Sequence, residues 1–335
     1  LFRILVLATI LLQLACLPAI AASRETDAIA LRVSNAALPT YEWSNDSLKT
    51  RGVIVALHGA TRHGTAFDTM ARRLASQGFH VVALDLRGHG AWYHGRFANR
   101  GGLRIDYMKA ADDLAVLLQA LRKTYPALPL FCLGESIGSA VIIHTASANA
   151  ELMDGMILLS PGTRPRVYNP FWFVRDFLRG ITKLDQPLDV SPYIARYASD
   201  DRRIVTEMLQ DPLSRNQLSG RDILRTSWFL SKVPRVSRQI RKDMPILVIQ
   251  GKRDHIVSID SGKQVWRHLP SSDKTLLEMP SCGHVLLQTA FIKPAAMQAV
   301  SDWLSERTGQ RIPVAVQAKA TIAGDLRPGS VATTH

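Results

Sequence analysis

Cysteine is scarce in this chain: Cys16, Cys132 and Cys282 are the only three among 335 residues. Three cannot build a disulfide framework. Cys132 and Cys282 are expected as reduced, buried small hydrophobes, with a bridge between them as the alternative in an oxidising compartment. Metal-ligand spacing is missing as well. The sequence holds no HExxH and no zinc-finger spacing, and its ten histidines are scattered, so neither a metal nor a cofactor is expected. No RNP signature occurs either, which sets nucleic acid aside as a partner. The formal net charge of +13 then favours anionic lipid surfaces or acidic substrates. No internal repeat is visible.

What is present is an ordinary globular composition, 47% hydrophobic and 21% charged. The length suits one large α/β domain with an insertion, or two domains. Residues 1–22 stand apart: Arg3, then an apolar run, then Ala19-Ile20-Ala21, which fits a small-x-small cleavage pattern. A secretory signal is the expectation, so the chain is exported, to the periplasm or the medium. The alternative is a retained membrane anchor, against which Pro18 and Gln13 speak. Lipid attachment at Cys16 ranks third, because Gln13 stands where such signals usually have leucine.

Beyond this segment, strand-like and helix-like patterns alternate. Strands are predicted over Val53–Leu57, Phe79–Leu84, Leu128–Leu133, Met153–Leu159, Pro245–Ile249 and Lys274–Met279. Helices are predicted over His63–Gln77, Ile105–Tyr125, Ile137–Ala150, Ser261–His268 and Ile292–Glu306. Such alternation implies a mostly parallel sheet with helices on both faces. Residues 23–160 and 244–307 form this core. Residues 161–243 interrupt it with Tyr168, Phe171, Trp172, Phe173 and Phe177, and with 16 Lys/Arg against 9 Asp/Glu. A mostly helical insertion after a sheet strand is expected as a cap. Residues 308–335 lose the rhythm and are expected as a disordered tail.

The stretch "LFCLGESIGSAVII" carries the chemistry. Gly-x-Ser-x-Gly between a strand and a helix is a nucleophile elbow, with Ser136 on a strained turn above the sheet. Gly134 and Gly138 leave room for the crowded backbones. The following helix aims its N-terminal amides at developing negative charge. A serine hydroxyl needs a base, and the base an orienting carboxylate. In the chain order Ser, acid, His, "PILVIQGKRDHIV" offers Asp254 as the acid after a strand, and "LLEMPSCGHVLL" offers His284 as the base. His144, His255 and His268 fit less well: His144 falls inside the helix after Ser136, His255 directly follows the proposed acid, and His268 falls late in a helix. The oxyanion hole draws the amide of Ile137 and, from "LHGATRHG", the amide of Ala60. His58 is expected to be structural. "LDLRGHG", with Asp85, Arg87 and His89, is expected to shape a loop.

Four blocks stand in order between Val53 and Trp303: "VIVALHGATRHGTAF", "GFHVVALDLRGHGAW", "YPALPLFCLGESIGSAVI" with "MDGMILLSPG", and "PILVIQGKRDHIVS…TLLEMPSCGHVLL". Together they resemble the α/β-hydrolases of the monoacylglycerol lipase and lysophospholipase group, often filed beside serine aminopeptidases. The resemblance implies the α/β-hydrolase fold, with a mostly parallel central sheet, helices on both faces and a helical cap insertion. It implies Ser136 as nucleophile, Asp254 as acid, His284 as base, and Ala60 and Ile137 as oxyanion donors. Two departures stand at the elbow, Glu135 and, in place of a glycine at a tight helix–strand contact, Ser139. The family usually has His-Ser-Met-Gly-Gly, and this chain has Glu135-Ser136-Ile137-Gly138-Ser139. Glu135 sets a negative charge beside the nucleophile and is expected to raise the pKa of His284. The activity implied is carboxylic-ester hydrolysis through an acyl-enzyme, on lysophospholipid or monoacylglycerol. The cap aromatics would bury the acyl chain, and the basic cap would dock on an anionic membrane surface. Two alternatives are a peptidase or amidase of the same fold, and a non-catalytic binding module. The last predicts a broken triad, and here all three positions are filled.

Overall fold

Val53, Val55 and Leu57 face one side of the strand Gly52–Leu57, Ile54 and Ala56 face the other, and all five are fully buried. A strand apolar on both faces needs cover on both, which is the condition of a parallel sheet sandwiched by helices. A computed structural model describes residues 24–26, 38–95, 97, 103–163 and 184–309 of the chain. In chain order the elements begin with strands β1 (Arg24–Thr26), β2 (Thr40–Trp43) and β3 (Gly52–Leu57), then helix α1 (Asp68–Ala75), β4 (Phe79–Leu84), α2 (Gly90–His94), α3 (Tyr107–Thr124), β5 (Leu130–Glu135), α4 (Ile137–Ala148) and β6 (Gly155–Leu159). The inserted region holds β7 (Pro187–Asp189), α5 (Ser191–Tyr197), α6 (Arg202–Gln210), β8 (Gln217–Ser219) and α7 (Gly220–Val236). The chain then returns to β9 (Ile246–Gly251), α8 (Ile259–His268), β10 (Lys274–Met279) and α9 (Pro294–Arg307).

The main sheet has eight strands in the order β1-β2-β4-β3-β5-β6-β9-β10. β1 and β2 pair antiparallel, as do β2 and β4; the remaining pairings are parallel. Register brings the C-terminal strand ends to one rim. Leu57 lies opposite Leu84 and Gly134, Glu135 opposite Leu159, Leu159 opposite Ile249, and Gly251 opposite Met279. The loops after these strands therefore emerge together, at the edge where open α/β sheets bind ligands.

Each face of the sheet has its own apolar cluster. On one, Leu114, Leu117, Leu118 and Leu121 of α3 pack with Val141 and Ile142 of α4 and Val265 of α8. On the other, Met70 and Leu74 of α1 pack with Val300 and Leu304 of α9. The inserted region is bound into this frame: Phe229 and Val233 of α7 belong to the α3–α4 cluster. Helices α5 and α6 make a small cluster of Ile194, Ala198, Ile204 and Met208, closed by Val285 from the loop after β10.

The predicted core elements are all present, Phe79–Leu84 and Lys274–Met279 with the expected ends and the others with shifted ones. β5 starts at Leu130 instead of Leu128, because Pro129 has no N–H for the ladder. It runs on to Glu135, and β9 runs on to Gly251; both extensions carry a buried polar side chain, Glu135 and Gln250. The helix expected from His63 opens as a 3₁₀ turn over Gly64–Phe67 before α1 begins. The antiparallel edge β1–β2 and the small β7–β8 ribbon were not legible, being three or four residues each. Cys132 and Cys282 are free, buried thiols. Residues 1–22, the aromatics from Tyr168 to Phe177, and the tail from residue 310 lie outside the described residues. Among the described residues, no helix is long and apolar enough to cross a membrane.

Candidate active site

Ser136 sits between β5 and α4 with φ 58° and ψ −117°, in the left-handed half of backbone space that non-glycine residues rarely occupy. Close packing holds it there. A Cβ on Gly134 would lie 2.5 Å from the carbonyl carbon of Gly138, and one on Gly138 would lie 2.1 Å from the oxygen of Leu57. Both glycines are thus required by backbone contact. The Ser136 N–H donates to the Leu159 oxygen at 2.8 Å, pinning the bend to β6. Ser139 fits the same crowded contact because its buried hydroxyl donates to the Gly134 oxygen at 2.7 Å. Ile137 is the first residue of α4, so its N–H has no intrahelical acceptor.

Asp254 lies in the turn after β9 and His284 in the loop after β10. The His284 Nδ1 and Asp254 Oδ2 are 2.7 Å apart, and both residues are buried. The carboxylate is otherwise filled with donors: the amides of Ile256 and Val257 at Oδ1, and the Gln250 side-chain amide at Oδ2. An acceptor so surrounded is ionised, which places the imidazole proton on Nδ1 and leaves Nε2 able to accept one. Burial works to raise the Asp254 pKa, but the charge and hydrogen bond of His284, with the two amides, outweigh it and hold the group below its ordinary value. For His284, burial favours the neutral ring; Asp254, and after it the charge of Glu135, overcome this and raise its pKa above 6.5.

The loop after β3 bears Ala60. Gly138 brings α4 against the carbonyls of Leu57 and His58, so this loop lies beside the start of α4. His58 is committed to shaping it. The ring is buried, its Nε2 accepts from the Leu86 amide at 3.0 Å, and its Nδ1 lies 2.8 Å from the Gly59 oxygen. Burial drives its pKa well down, so it stays neutral. Asp85 shapes the neighbouring loop through the amides of Gly64 and Ala91 and the hydroxyl of Tyr41. Both residues act as the sequence suggested.

Thus Asp254 and His284 meet in a hydrogen bond, Ser136 and Ile137 share the elbow, and the Ala60 loop abuts it. Three further polar residues at this rim escaped the sequence reading. Gln250 donates to Asp254. Ser160, with φ 44°, donates its hydroxyl to the His284 oxygen at 2.8 Å. Gln288 accepts from the Gly59 amide at 2.7 Å. Gln250 carried a signal, a lone polar residue ending the apolar run "PILVIQ"; the others had none.

Comparison with known proteins places this rim in context. A family model described as serine aminopeptidase, S33, matches residues 48–289. Monoglyceride lipase of Homo sapiens is 26% identical over 260 residues, covering 77% of this chain and 84% of that protein. Among solved structures, the monoacylglycerol lipase of Paleococcus ferrophilus superposes with a TM-score of 0.65 at 20% identity, covering 80% of this chain and 98% of the other. A soluble variant of monoglyceride lipase from Saccharomyces cerevisiae, in complex with a substrate analog, gives 0.68 at 19% identity, over 80% and 91%. With the model spanning well over half its length, the chain belongs to the serine aminopeptidase S33 family of α/β-hydrolases.

Proposed function

We propose that the protein is a serine hydrolase that cleaves carboxylic esters through an acyl-enzyme. The observation that carries this reading is the buried Asp254–His284 pair at 2.7 Å on the same sheet rim as a serine held at positive φ. Ser136 attacks the carbonyl carbon while His284 Nε2 takes its proton. The amides of Ile137 and Ala60 stabilise the tetrahedral oxyanion. The imidazolium returns its proton to the leaving alcohol, and water then repeats the sequence on the acyl-enzyme. Asp254 holds the ring and offsets its positive charge.

Monoacylglycerol or lysophospholipid is the substrate we favour, on the strength of the monoglyceride lipases that the chain resembles. An anionic lipid surface is the partner we favour. Leu103, Met108 and Trp228 stand exposed around a cleft of about 610 Å³ that Arg104, Lys109 and Arg225 also line, a pairing of apolar and cationic groups suited to such an interface. The N-terminal segment supports export as the location. Replacing Ser136 by Ala should abolish p-nitrophenyl ester hydrolysis and labelling by a fluorophosphonate probe. Wild-type turnover in Ser136→Ala would end this reading. The family's aminopeptidase description favours a second reading, amide hydrolysis; turnover of aminoacyl amides but not of lipid esters would select it.

A further inference from the structure

Glu135 is fully buried, one residue before the nucleophile, yet it makes no ion pair with a lysine or arginine among the described residues. Its partners are backbone. Oε1 accepts from the Leu286 amide at 2.5 Å, and Oε2 from the amides of Leu287 and Gln288, both at 3.0 Å. Three consecutive N–H groups converging on one carboxylate make an anion nest. They belong to the chain just after His284. The same stretch continues the contact: Gln288 Oε1 accepts from Gly59 N–H at 2.7 Å, in the loop that bears Ala60. A Cβ on Gly59 would lie 2.7 Å from Gln288 Nε2, so the side chain lies flat against that turn. Elbow, base loop and oxyanion loop come from β5, β10 and β3, and this one chain of hydrogen bonds joins all three.

We propose that Glu135 and Gln288 are positioning residues that lock the base loop between the nucleophile elbow and the oxyanion loop. This rests on the ester-hydrolase reading above. The chemistry requires a carboxylate at 135. A carboxamide of the same shape presents one N–H₂ to amides that are themselves donors, so at least one of the three is left unpaired. Asp254 touches His284 through the direct hydrogen bond; Glu135 acts on it through space, with burial pushing the Glu135 carboxyl above its ordinary range and the three amides working against that rise. Asp254 stabilises the imidazolium that forms during acylation. Gln288 carries no charge and acts on geometry alone.

The test compares Glu135→Gln, Glu135→Asp and Gln288→Ala with the wild type. The readouts are kcat and KM on a soluble p-nitrophenyl ester, the pH profile of kcat/KM, and thermal unfolding. Glu135→Gln should lower kcat about 100-fold, the scale of a 1 Å misplacement, with KM nearly unchanged, and should move the acid limb of the profile to lower pH. Glu135→Asp keeps the charge and shortens the reach; it should lose kcat while holding the limb closer to the wild-type position. Gln288→Ala should lose roughly 10-fold in kcat and leave the limb in place. The proposal is overturned if the folded variants lower only the unfolding temperature, with kcat at the wild-type value. Gln288→Ala decides the proposal by itself should Glu135 variants fail to fold. Fluorophosphonate labelling of the wild type keeps the two readings apart: failure to label Ser136 sinks the ester-hydrolase reading, whereas labelling with unperturbed variants sinks only the positioning role.

Discussion

Replacing Gly138 by Ala adds one methyl group where the start of α4 touches the loop after β3, the oxyanion loop of the proposed mechanism. That carbon would lie 2.1 Å from the Leu57 oxygen, 2.7 Å from the Leu57 carbonyl carbon and 2.9 Å from the His58 oxygen. Ordinary contact begins at 3.4 Å, so the nearest pair must separate by about 1.3 Å. All three obstacles are backbone, and none can rotate away. Leu57 is in register with Gly134 in the sheet, so the strand resists and the displacement falls on the loop and on the first turn of α4. Those segments carry Ala60 and Ile137. A 1 Å error in a preorganised site costs about 100-fold, and losing one oxyanion donor costs about 10²- to 10³-fold; kcat should fall by at least the first of these. Overpacking should also destabilise the fold by about 1–3 kcal/mol. The assay is p-nitrophenyl ester turnover per folded enzyme, with folding checked by circular dichroism. Gly138→Ala with kcat within threefold of wild type would refute the claim that this backbone contact sets the distance between elbow and oxyanion loop.

Asp254→Asn should lower kcat by about 10⁴-fold, because a carboxamide donates where the carboxylate accepts and turns the imidazole to the wrong tautomer; stopped-flow or long-time ester assays measure it. The His284 pKa lies above 6.5 in the folded protein and the ring must be neutral to accept a proton, so kcat/KM should be half-maximal above pH 6.5 and fall as pH drops, which a pH–rate profile checks. Stability has the opposite sign for this group: its favourable contribution is full below pH 6.5 and is lost as pH rises through the raised value. Asp254, held low, contributes above its ordinary range and loses this as pH falls through its lowered pKa, so chemical unfolding at pH 3 and pH 7 should differ in its favour at pH 7. Arg62→Ala should destabilise by about 1–3 kcal/mol, the cost of hydrogen-bonded groups left unpaired, because Glu207 and Asp211 are partly exposed and keep other partners. Arg62 is fully buried and bonds Glu207 at 2.8 Å and Asp211 at 3.0 Å; denaturant melts measure the loss.

Periodicity made the sheet legible, because β3 to β6 and β9 are apolar on both faces and so read as short continuous runs. The elbow was legible because Gly134 and Gly138 have a steric reason that any sequence would have to respect. Asp254 and His284 were legible from their place after strands. Less accessible were the edge strands. β2 is the four residues "TYEW", too short for a pattern, and long-range contacts hold it: its pairing with β4, the burial of Tyr41 and Trp43 in the core, and their hydrogen bonds to Asp85 and Asp68. Gln288 and Ser160 were hidden for a similar reason. Each acts on backbone groups more than 100 residues away, and no local spacing encodes such a partner.

The same contrast separates what holds the fold from what holds the site. The two apolar clusters lie on the faces of the sheet and fix where the strands end. They reach into the loops beyond as well, through Leu86 and Ile105 on one face and Cys282, Leu286 and Leu287 on the other, and buried polar side chains bonded to backbone complete the order of those loops: His58 to Leu86, Asp85 to Gly64 and Ala91, Ser139 to Gly134, Ser160 to His284, Glu135 to three amides. Helix α6 extends this lattice into the inserted region, where Glu207 accepts from Arg62, from the Thr289 hydroxyl and from the Ala290 amide. A lost hydrogen bond of this kind costs about 1–3 kcal/mol, comparable with trimming a core side chain, but it is lost at the rim. Core substitutions such as Leu117→Ala should therefore lower stability and leave kcat of the folded fraction intact. Rim substitutions of equal thermodynamic cost should lower kcat as well. Plotting kcat against unfolding free energy for both sets should give two separate trends, and a single common line would mean that the loops are ordered by the core after all.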